Sequence, residues 1–551
     1  MMEKLAEKIS RSRVDGYLRA RDGKIVNGRG EEFLPLGVAF GNWLLCEGNM
    51  WAFGEGNYYD RPRRFEALIR ELCGSEYAAT FWDRFHDSFV SEADVKAIAD
   101  YGFNSVRIPI NWRILLEDEP GIRFIEKGFD IIERCVDWCE KYGLYVFLDL
   151  HGAAGGQTGT HIDDSINNIP RLFIDGDAYE KTLEIWRELA RRYKDRWIVG
   201  GYDLLNEPLS GEHRRYTDRL SRFYDDCVKA IREIDEGHMI IIEATNGASD
   251  PAVFTKRFDD NSVISFHMYC SMPCEEIFAP WLELREKYGL PLWLGETGRG
   301  RPEWFTASYA MALQLGIGVN FWPWKRTAWR VGCCSNPAPE GWEEIVAYTK
   351  GGKHPGYLRS QGILDAFLHN MLYENCHKRE NVVDAVLRRA DVRVPGIAFD
   401  VGCRGRGADR GVNGFRERSG YRIELKEGRT LERLDTMDIC EVAWDALTLV
   451  LREGESVSYS AMSIPRDCPL MIEARGEARA NIYANGVLLT TLCANGGENI
   501  RECVGILKET DEVCVSVEVI SGQMRLEALC FGDIAESRYD SFLEIEIPQV
   551  N

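Results

Sequence analysis

The chain has 551 residues, of which 45% are hydrophobic and 28% charged, a composition that excludes a disordered, collagen-like or coiled-coil protein. Its 67 basic and 88 acidic side chains give a formal net charge of −21, which disfavours nucleic acid and anionic lipid as partners. No stretch approaches the roughly 18 apolar residues of a membrane span, and the amino terminus carries no apolar run of signal-peptide length. We therefore expect a cytoplasmic protein without nucleic-acid or membrane partners, with a trimmed secretion signal as the alternative.

Eight short, nearly continuous apolar segments in the first two thirds of the chain are predicted to be buried strands. They span residues 34–40, 104–110, 144–150, 201–206, 239–243, 263–269, 291–296 and 316–322. Continuous rather than alternating apolar character is typical of parallel strands that are covered on both faces.

Stretches with helical spacing of apolar residues lie between the strands, at 81–102, 124–143, 182–195, 216–235 and 279–289. Eight strands alternating with helices predict an α/β fold, and the count matches a closed (β/α)₈ TIM barrel, which a helical run over 364–389 would complete. A doubly wound open sheet is the alternative, but no glycine-rich phosphate loop follows the first strand.

The pattern changes near residue 391, after which short alternating segments lie between turn residues such as YANG at 483–486. This pattern predicts a C-terminal all-β sandwich. We therefore expect two domains, a (β/α)₈ barrel over residues 1–391 and a β-sandwich over residues 392–551.

The C-terminal ends of the barrel strands carry polar, titratable and aromatic residues, and these ends form the site in such barrels. In strand order they are Arg107, His151, Asn206, Glu207, His267, Tyr269, Glu296, Trp322 and Trp324. Glu207 and Glu296 end the fourth and seventh strands, which lie across the barrel mouth, so they can flank one bound sugar. Two such carboxyls are the minimal set for glycoside hydrolysis, because one protonates the leaving oxygen and the other attacks the sugar or activates water.

The segment from about residue 30 to 375 resembles glycoside hydrolase family 5. The resemblance rests on the ordered set of Arg107, His151, NEP at 206–208, HxY at 267–269, Glu296 and the tryptophan of strand eight. Five stretches also resemble its exo-β-1,3-glucanase and β-glucosidase-like branch: GNWLLCEGNMW, FNSVRIPINW, LDLHGAAGGQTG, GYDLLNEPL and NFWPWK.

The resemblance implies a retaining mechanism with Glu207 as general acid/base and Glu296 as nucleophile, the two carboxyl groups lying roughly 5 Å apart. Asn206 would hold the sugar 2-hydroxyl. Arg107 would keep Glu296 ionised, because a nearby cation lowers the pKa of a carboxyl.

The remaining strand-end residues are expected to bind the substrate or the catalytic carboxyls. Tyr269 would hydrogen-bond the nucleophile, His267 the acid/base or the substrate, and His151 the sugar hydroxyls. Trp322 would be the stacking platform for the sugar at the cleaved position, with Trp324 as the alternative for that role.

Other titratable residues near the strand ends receive lesser roles. His161 is a weaker substrate-contact candidate, Glu243 is less expected to face the site, and Asp149 is expected to be a buried hydrogen-bonding group beneath His151. A metal shared by His151 and His267 is the alternative, but no further residue has ligand spacing, and the 17 cysteines lack the paired spacing of a zinc site. We therefore expect neither a metal nor a cofactor.

Long loops follow the first, third and eighth predicted strands on the face that holds the site. They predict a pocket closed at one end. The expected function is thus an exo-acting retaining β-glycosidase whose partner is a β-linked glycoside, a β-glucoside or a short β-glucan. A β-mannosidase or a glycolipid β-glucosidase of the same fold, and a non-catalytic carbohydrate-binding protein, are the alternatives.

The C-terminal region resembles, more weakly, the β-sandwich carbohydrate-binding modules of families 6 and 35, in VPGIAFDVGCRGRG and ANIYANGVLLTTL. Its candidate sugar platforms are Tyr421, Trp444, Tyr459 and Tyr483, each equally expected in a core. Because 14 of the 15 tryptophans lie at or before Trp342, packing on the barrel is at least as well supported for this region as sugar binding.

Overall fold

The computed structural model describes residues 12–54, 56–269, 271–328, 332–407, 415–426 and 447–534. Within these ranges, no helix combines the length and the apolar character that crossing a membrane requires. Trp444, one of the candidate sugar platforms, lies outside the described residues.

A short antiparallel hairpin, β1 (Arg19–Arg21) and β2 (Lys24–Val26), precedes a closed barrel of parallel strands. The barrel strands are β3 (Leu36–Ala39), β4 (Ser105–Asn111), β5 (Tyr145–Gly152), β6 (Val199–Asp203), β7 (Met239–Glu243), β8 (Ser262–His267), β9 (Leu292–Thr297) and β10 (Gly318–Phe321). Each strand pairs with the next, and β10 pairs with β3 to close the ring. All eight predicted strands and the predicted TIM barrel are therefore confirmed.

Helices lie between the strands and around the barrel. They are α1 (Pro62–Cys73), α2 (Ser75–Phe89), α3 (Glu92–Asp100), α4 (Trp112–Leu115), α5 (Glu126–Tyr142), α6 (Gly176–Tyr193), α7 (Thr217–Arg232), α8 (Thr245–Ala248), α9 (Glu275–Tyr288), α10 (Pro302–Gln314), α11 (Trp342–Thr349), α12 (Tyr357–Met371) and α13 (Glu380–Val386). Single 3₁₀ turns span Gly48–Trp51, Arg171–Phe173, Gly211–Tyr216, Pro251–Val253 and Tyr373–Asn375.

Two predicted helical runs are each divided in the structure. The run over 81–102 breaks at Val90, which is extended, because Ser91 caps the next helix in a capping box with Asp94. The run over 364–389 is divided between α12 and α13 by the strand β13 (His377–Lys378). β13 joins β11 (Lys325–Thr327) and β12 (Cys334–Asn336) in a small sheet that follows the last barrel strand.

The C-terminal region is antiparallel, which confirms its predicted all-β character. Its strands are β14 (Val392–Pro395), β15 (Arg422–Leu425), β16 (Leu447–Arg452), β17 (Ser456–Ala461), β18 (Cys468–Ala484), β19 (Val487–Leu507) and β20 (Val513–Phe531). Hydrogen bonds join these described strands into one sheet, whose centre is formed by the long strands β18 and β20, with the third long strand, β19, at its edge.

The long strands bend at glycines. Gly476 of β18 pairs with Gly496 of β19, and Gly522 of β20 pairs with the nearby Ala478. All three glycines have a positive φ, which other residues adopt at a cost. Leu489 and Gly505 lie near opposite ends of β19 but are close in space, because a Cβ added at Gly505 would lie 3.2 Å from the side chain of Leu489. One continuous sheet thus folds back on itself, as a sandwich requires.

Polar contacts fasten the C-terminal region to the outer helices of the barrel. The side chain of Gln314, at the end of α10, donates to Asp400 and accepts from the backbone N–H of Val401, both at 2.8 Å. Arg404 forms an ion pair with Glu275 of α9 at 3.0 Å. The domain boundary between residues 391 and 392 stays a prediction.

Two of the candidate sugar platforms belong to the core of this region. Tyr421 and Tyr459 are fully buried, and each hydroxyl donates to a backbone carbonyl, of Ser456 and Gly396 respectively. A buried ring has no open face for a sugar, so the platform role is wrong for these two residues. Tyr483 is half-buried, and its hydroxyl donates to Glu518.

Candidate active site

Arg107 is the centre of a buried charge network at the floor of the barrel mouth. Its guanidinium donates to carboxylate oxygens of Glu296, Asp203 and Glu243, each at 2.9 Å, and to the Oδ1 atom of Asn206 at 3.0 Å. A guanidinium offers five N–H donors in a fixed plane, so one buried side chain can hold groups from several strands. The network therefore fixes residues of β4, β7 and β9 relative to one another.

Both carboxylate oxygens of Glu296 are engaged. Oε2 accepts from Arg107, and Oε1 accepts from the Tyr269 hydroxyl at 2.5 Å. Burial raises the pKa of the Glu296 carboxyl above its ordinary value; His267 and Arg107 lower it, while Glu207 adds to the rise. Arg107 thus acts on Glu296 in the expected direction, but burial outweighs it.

Glu207 occupies a turn beyond the end of β6 and has a backbone φ of +45°. Its backbone N–H donates to Oε2 of Glu243 at 2.7 Å, and its carboxylate oxygen Oε1 lies 2.8 Å from Nδ1 of His267. The Glu207 side chain is 15% exposed, whereas that of Glu296 is 6% exposed. Of the two carboxyls, Glu207 is therefore the one more open to solvent.

His267 lies between the two proposed catalytic carboxyls. Its Nδ1 atom is 2.8 Å from Glu207 and 3.9 Å from Glu296, and the nearest carboxylate oxygens of Glu207 and Glu296 are within 4.8 Å of each other. Burial alone would lower the pKa of the His267 imidazole, but Glu243, Glu296 and Glu207 outweigh it and hold that pKa well above its ordinary value. The surrounding carboxylates therefore favour the protonated form of the imidazole.

His151 and Trp322 form one wall of the site. The His151 Nδ1 atom lies 2.7 Å from Asp149, which is buried below it. The imidazole of His151 and the indole of Trp322 are parallel, with ring centroids 5.1 Å apart. Trp322 is 9% exposed and lines the cavity. The indole fits because residue 41 is glycine: a Cβ there would lie 2.7 Å from the ring.

Trp324 does not reach the site, so its alternative role as a sugar platform is wrong. It is fully buried, its Nε1–H donates to Asp94 at 2.9 Å, and its ring stacks with Tyr373. Strand β10 ends at Phe321, so the two-residue repeat that would place Trp324 beside Trp322 no longer applies.

A cavity of about 1050 Å³ opens above these residues. Eight of the nine predicted site residues lie at this cavity or directly beneath it, and Trp324 is the exception. His151, Asn206, Glu207, Tyr269, Glu296 and Trp322 line the cavity, while Arg107 and His267 are buried beneath it. His161, the weaker candidate, lies at the exposed rim. Arg299 and Arg326, which the sequence analysis did not single out, also line it.

Glu47 is a lining residue that sequence reasoning missed. It is 5% exposed, and its Oε1 atom has no hydrogen-bond partner among the described residues. The pKa of the Glu47 carboxyl is raised to about 7. Burial is the main cause, the carboxylates of Glu296 and Glu207 act in the same direction, and His151 acts in the opposite direction. The available signal was an acidic residue in the otherwise apolar stretch GNWLLCEGNMW just after the first strand.

The expected geometry of a metal shared by His151 and His267 is not found. Asp149 binds Nδ1 of His151, while Glu207 and Glu243 lie 2.8 Å and 3.2 Å from the two ring nitrogens of His267. The side chains of Glu207, His267 and Glu296 do come close enough to hold an ion. In this structure, however, those atoms already form hydrogen bonds and ion pairs with one another, which is the arrangement of an acid–base site.

Comparison with known proteins gives consistent matches. The model of the family described as Cellulase (glycosyl hydrolase family 5) matches residues 71–327. A beta-xylosidase of Phanerodontia chrysosporium is 31% identical over 51% of this chain and 61% of its own length. Cellodextrinase A of Ruminococcus flavefaciens is 30% identical over 38% of this chain and 69% of its own length.

A third relative is the probable glucan 1,3-beta-glucosidase A of Aspergillus clavatus, 28% identical over 40% of this chain and 52% of its own length. The chain thus spans 61% of the beta-xylosidase and about half of the glucan 1,3-beta-glucosidase.

Proposed function

Because the chain belongs to glycosyl hydrolase family 5, we propose that its barrel is a retaining β-glycosidase with Glu207 as acid/base and Glu296 as nucleophile. The observation that carries this proposal is the separation of their carboxylate oxygens, which is within 4.8 Å. Retaining enzymes place the two carboxyl groups about 5–5.5 Å apart, whereas inverting enzymes need about 6.5–9.5 Å to admit a water molecule.

In the first step, an oxygen of Glu296 attacks the anomeric carbon as the bond to the leaving oxygen breaks, and Glu207 gives its proton to that oxygen. In the second step, water attacks the glycosyl ester, Glu207 takes a proton from the water, and the Glu296 carboxylate is released. The solvent exposure of Glu207 supports its assignment as the group that meets both the leaving group and the water.

The surroundings of the nucleophile suit this sequence of steps. Arg107 stabilises the Glu296 carboxylate both when it attacks in the first step and when it is released in the second. The Tyr269 hydroxyl binds the other oxygen of Glu296 and fixes the plane of the carboxyl group. A fixed nucleophile loses little orientational freedom when it reaches the anomeric carbon.

Neutral sugar hydroxyls are both donors and acceptors, so a sugar site needs both kinds of partner. Asn206 and His151, whose Nδ2 and Nε2 atoms are 3.2 Å apart, meet at the floor of the cavity. The unpartnered Oε1 atom of Glu47 supplies an acceptor, and Trp322 supplies an aromatic surface.

We propose exo action on β-glucosides or short β-glucans. The loops after β3 and β10 are joined on one side of the cavity, where Arg326 donates to the backbone carbonyl of Asn49 at 2.6 Å. Such a wall on one side of the cavity supports a closed pocket that binds the end of a glucan chain. A relative named probable glucan 1,3-beta-glucosidase A supports a β-glucan as the substrate class.

The test is a panel of 4-nitrophenyl β-glycosides (glucoside, xyloside, mannoside and galactoside), followed by proton NMR of the first-formed sugar. We expect the β-glucoside to be the best substrate and the first product to be the β-anomer. A preference for the mannoside or xyloside would overturn the sugar assignment, and an α-anomer as first product would overturn the retaining mechanism.

For chain-end cleavage, the products of laminarin digestion are separated over time. Early release of glucose alone is expected. Early appearance of mixed longer oligosaccharides would contradict exo action.

A further inference from the structure

We infer that Glu243 is a positioning residue for the acid/base Glu207. This inference rests on the proposed function and adds a residue to it. Glu243 is the last residue of β7, is fully buried, and does not line the cavity. It therefore acts through its neighbours and not on the substrate.

The first contact is with the backbone of Glu207. Oε2 of Glu243 accepts the Glu207 N–H at 2.7 Å. Glu207 has a backbone φ of +45°, which is unfavourable for a residue with a Cβ and persists only where the surroundings hold it. The Glu243 carboxylate is thus an anchor for the turn that aims the Glu207 side chain.

The second contact is with the partner of the Glu207 carboxylate. Oε1 of Glu243 lies 3.2 Å from Nε2 of His267, whose Nδ1 atom lies 2.8 Å from Glu207. The imidazole is held from both sides, so its orientation depends on Glu243. One carboxylate therefore sets both the backbone and the hydrogen-bond partner of the acid/base.

The surroundings of Glu243 keep it ionised. Burial would raise the pKa of its carboxyl, but His267, Arg107 and the backbone N–H of Glu207 outweigh burial and hold that pKa below its ordinary value. Arg107 donates to the same Oε1 atom at 2.9 Å. An ionised carboxylate accepts the hydrogen bonds of Arg107 and of the Glu207 N–H and pairs with the imidazole, whereas an amide in its place offers one acceptor atom and no charge.

Asp203 is a matched comparison in the same network. It is equally buried and accepts from Nε of Arg107 at 2.9 Å. Among the described residues it makes no hydrogen bond with Glu207 or His267. Asp203→Asn and Glu243→Gln each remove a carboxyl group that accepts from Arg107, but only Glu243→Gln removes one that also contacts Glu207 and His267.

The experiment compares two leaving groups in the purified full-length variants. A 2,4-dinitrophenyl β-glucoside needs no protonation to depart, whereas a 4-methoxyphenyl β-glucoside does. For Glu243→Gln we expect kcat/KM to fall about 100-fold for the methoxyphenyl substrate and less than about threefold for the dinitrophenyl substrate. For Asp203→Asn we expect the same factor for both substrates.

Azide provides a second readout. If Glu243 positions the base that activates water, the glycosyl-enzyme accumulates in Glu243→Gln, and azide accelerates turnover of the dinitrophenyl substrate. The product is then the β-glycosyl azide, because the nucleophile is intact. A purely structural role would give neither the acceleration nor this product.

An equal loss for both substrates in Glu243→Gln, without azide acceleration, would overturn the inference and leave the proposed function standing. Failure of the wild-type protein to cleave any aryl β-glycoside would instead overturn the proposed function. Circular dichroism melts confirm folding of each variant. If Glu243→Gln does not fold, Glu243→Asp, which keeps the charge but withdraws it by one methylene, carries the same test with the same two outcomes.

Discussion

The carboxylate oxygens of Glu207 and Glu296 approach within 4.8 Å although Glu207 follows β6 and Glu296 lies in β9. Two carboxylates this close repel each other unless cations lie beside them. Here His267 lies 2.8 Å from the first and Arg107 lies 2.9 Å from the second. The barrel thus holds the two proposed catalytic carboxyl groups close together, each with a basic side chain on its own side.

Arg107 is predicted to be essential for folding as well as activity. Arg107→Ala removes the buried cation that the carboxylates of Glu296, Asp203 and Glu243 share, and breaking a buried ion pair costs about 3–5 kcal/mol. We expect the free energy of unfolding in urea to fall by at least that amount. Arg107→Lys should recover little of it, because an ammonium cannot match the planar guanidinium.

The matched control for this loss is Arg123→Ala. Arg123 pairs with Glu117 at the surface, where the two side chains are 56% and 48% exposed. Exposed pairs contribute about 0–1 kcal/mol. Equal destabilisation by Arg107→Ala and Arg123→Ala would contradict the role of the buried network.

Glu47 is predicted to make stability depend on pH. The pKa of its carboxyl is raised from 4.5 to about 7 in the folded chain, so between these values the folded state binds a proton that the unfolded state has lost. Stability from this group is therefore present below about pH 4.5 and is lost as the pH rises to about 7, with a total of about 3 kcal/mol.

The measurement is urea unfolding of wild type and Glu47→Gln at pH 5 and at pH 7. Glutamine does not titrate, so we expect the wild type to lose about 2–3 kcal/mol more than the variant between these pH values. The coupling of Glu47 to His151, Glu296 and Glu207 is part of the contribution that this comparison measures. Parallel pH profiles would show that Glu47 is ionised throughout.

The two tryptophans after β10 are predicted to behave differently. Trp322→Ala should raise KM about tenfold or more, because a stacked aromatic side chain contributes about 1.5 kcal/mol or more to binding, and should also lower stability, because the indole is only 9% exposed. Trp324→Phe should leave KM unchanged and lower stability by about 1–3 kcal/mol, since it leaves Asp94 without the indole N–H. Steady-state kinetics and thermal melts distinguish these outcomes, and a raised KM in Trp324→Phe would reverse our assignment.

The sequence predicted most of the barrel and the members of the site. Buried parallel strands carry a strong signal, because apolar residues fill most positions and most of the candidate site residues lie at or just beyond the strand ends. Barrel closure then brings the site residues together: Arg107, inside β4, and Glu296, near the end of β9, meet at 2.9 Å.

The parts that the sequence did not predict depend on where regular structure stops. Trp324 was misplaced because β10 ends at Phe321, and beyond a strand end the alternation of faces is undefined. Glu47 lies in the irregular segment after β3, so no periodicity aims its side chain. Glu243 does not line the cavity, as expected, but its contact with Glu207 depends on a left-handed turn that no pattern of residues predicts.

The central claim is that Glu296 forms the covalent bond to the sugar. The most direct measurement is to incubate the protein with 2,4-dinitrophenyl 2-deoxy-2-fluoro-β-glucoside, digest it, and locate the label by mass spectrometry. We predict one equivalent of fluoroglucosyl on Glu296, with a burst of dinitrophenolate of equal size and no labelling in Glu296→Gln. A label on Glu207 or Glu47, or turnover without a burst or label, would contradict the assignment of the nucleophile.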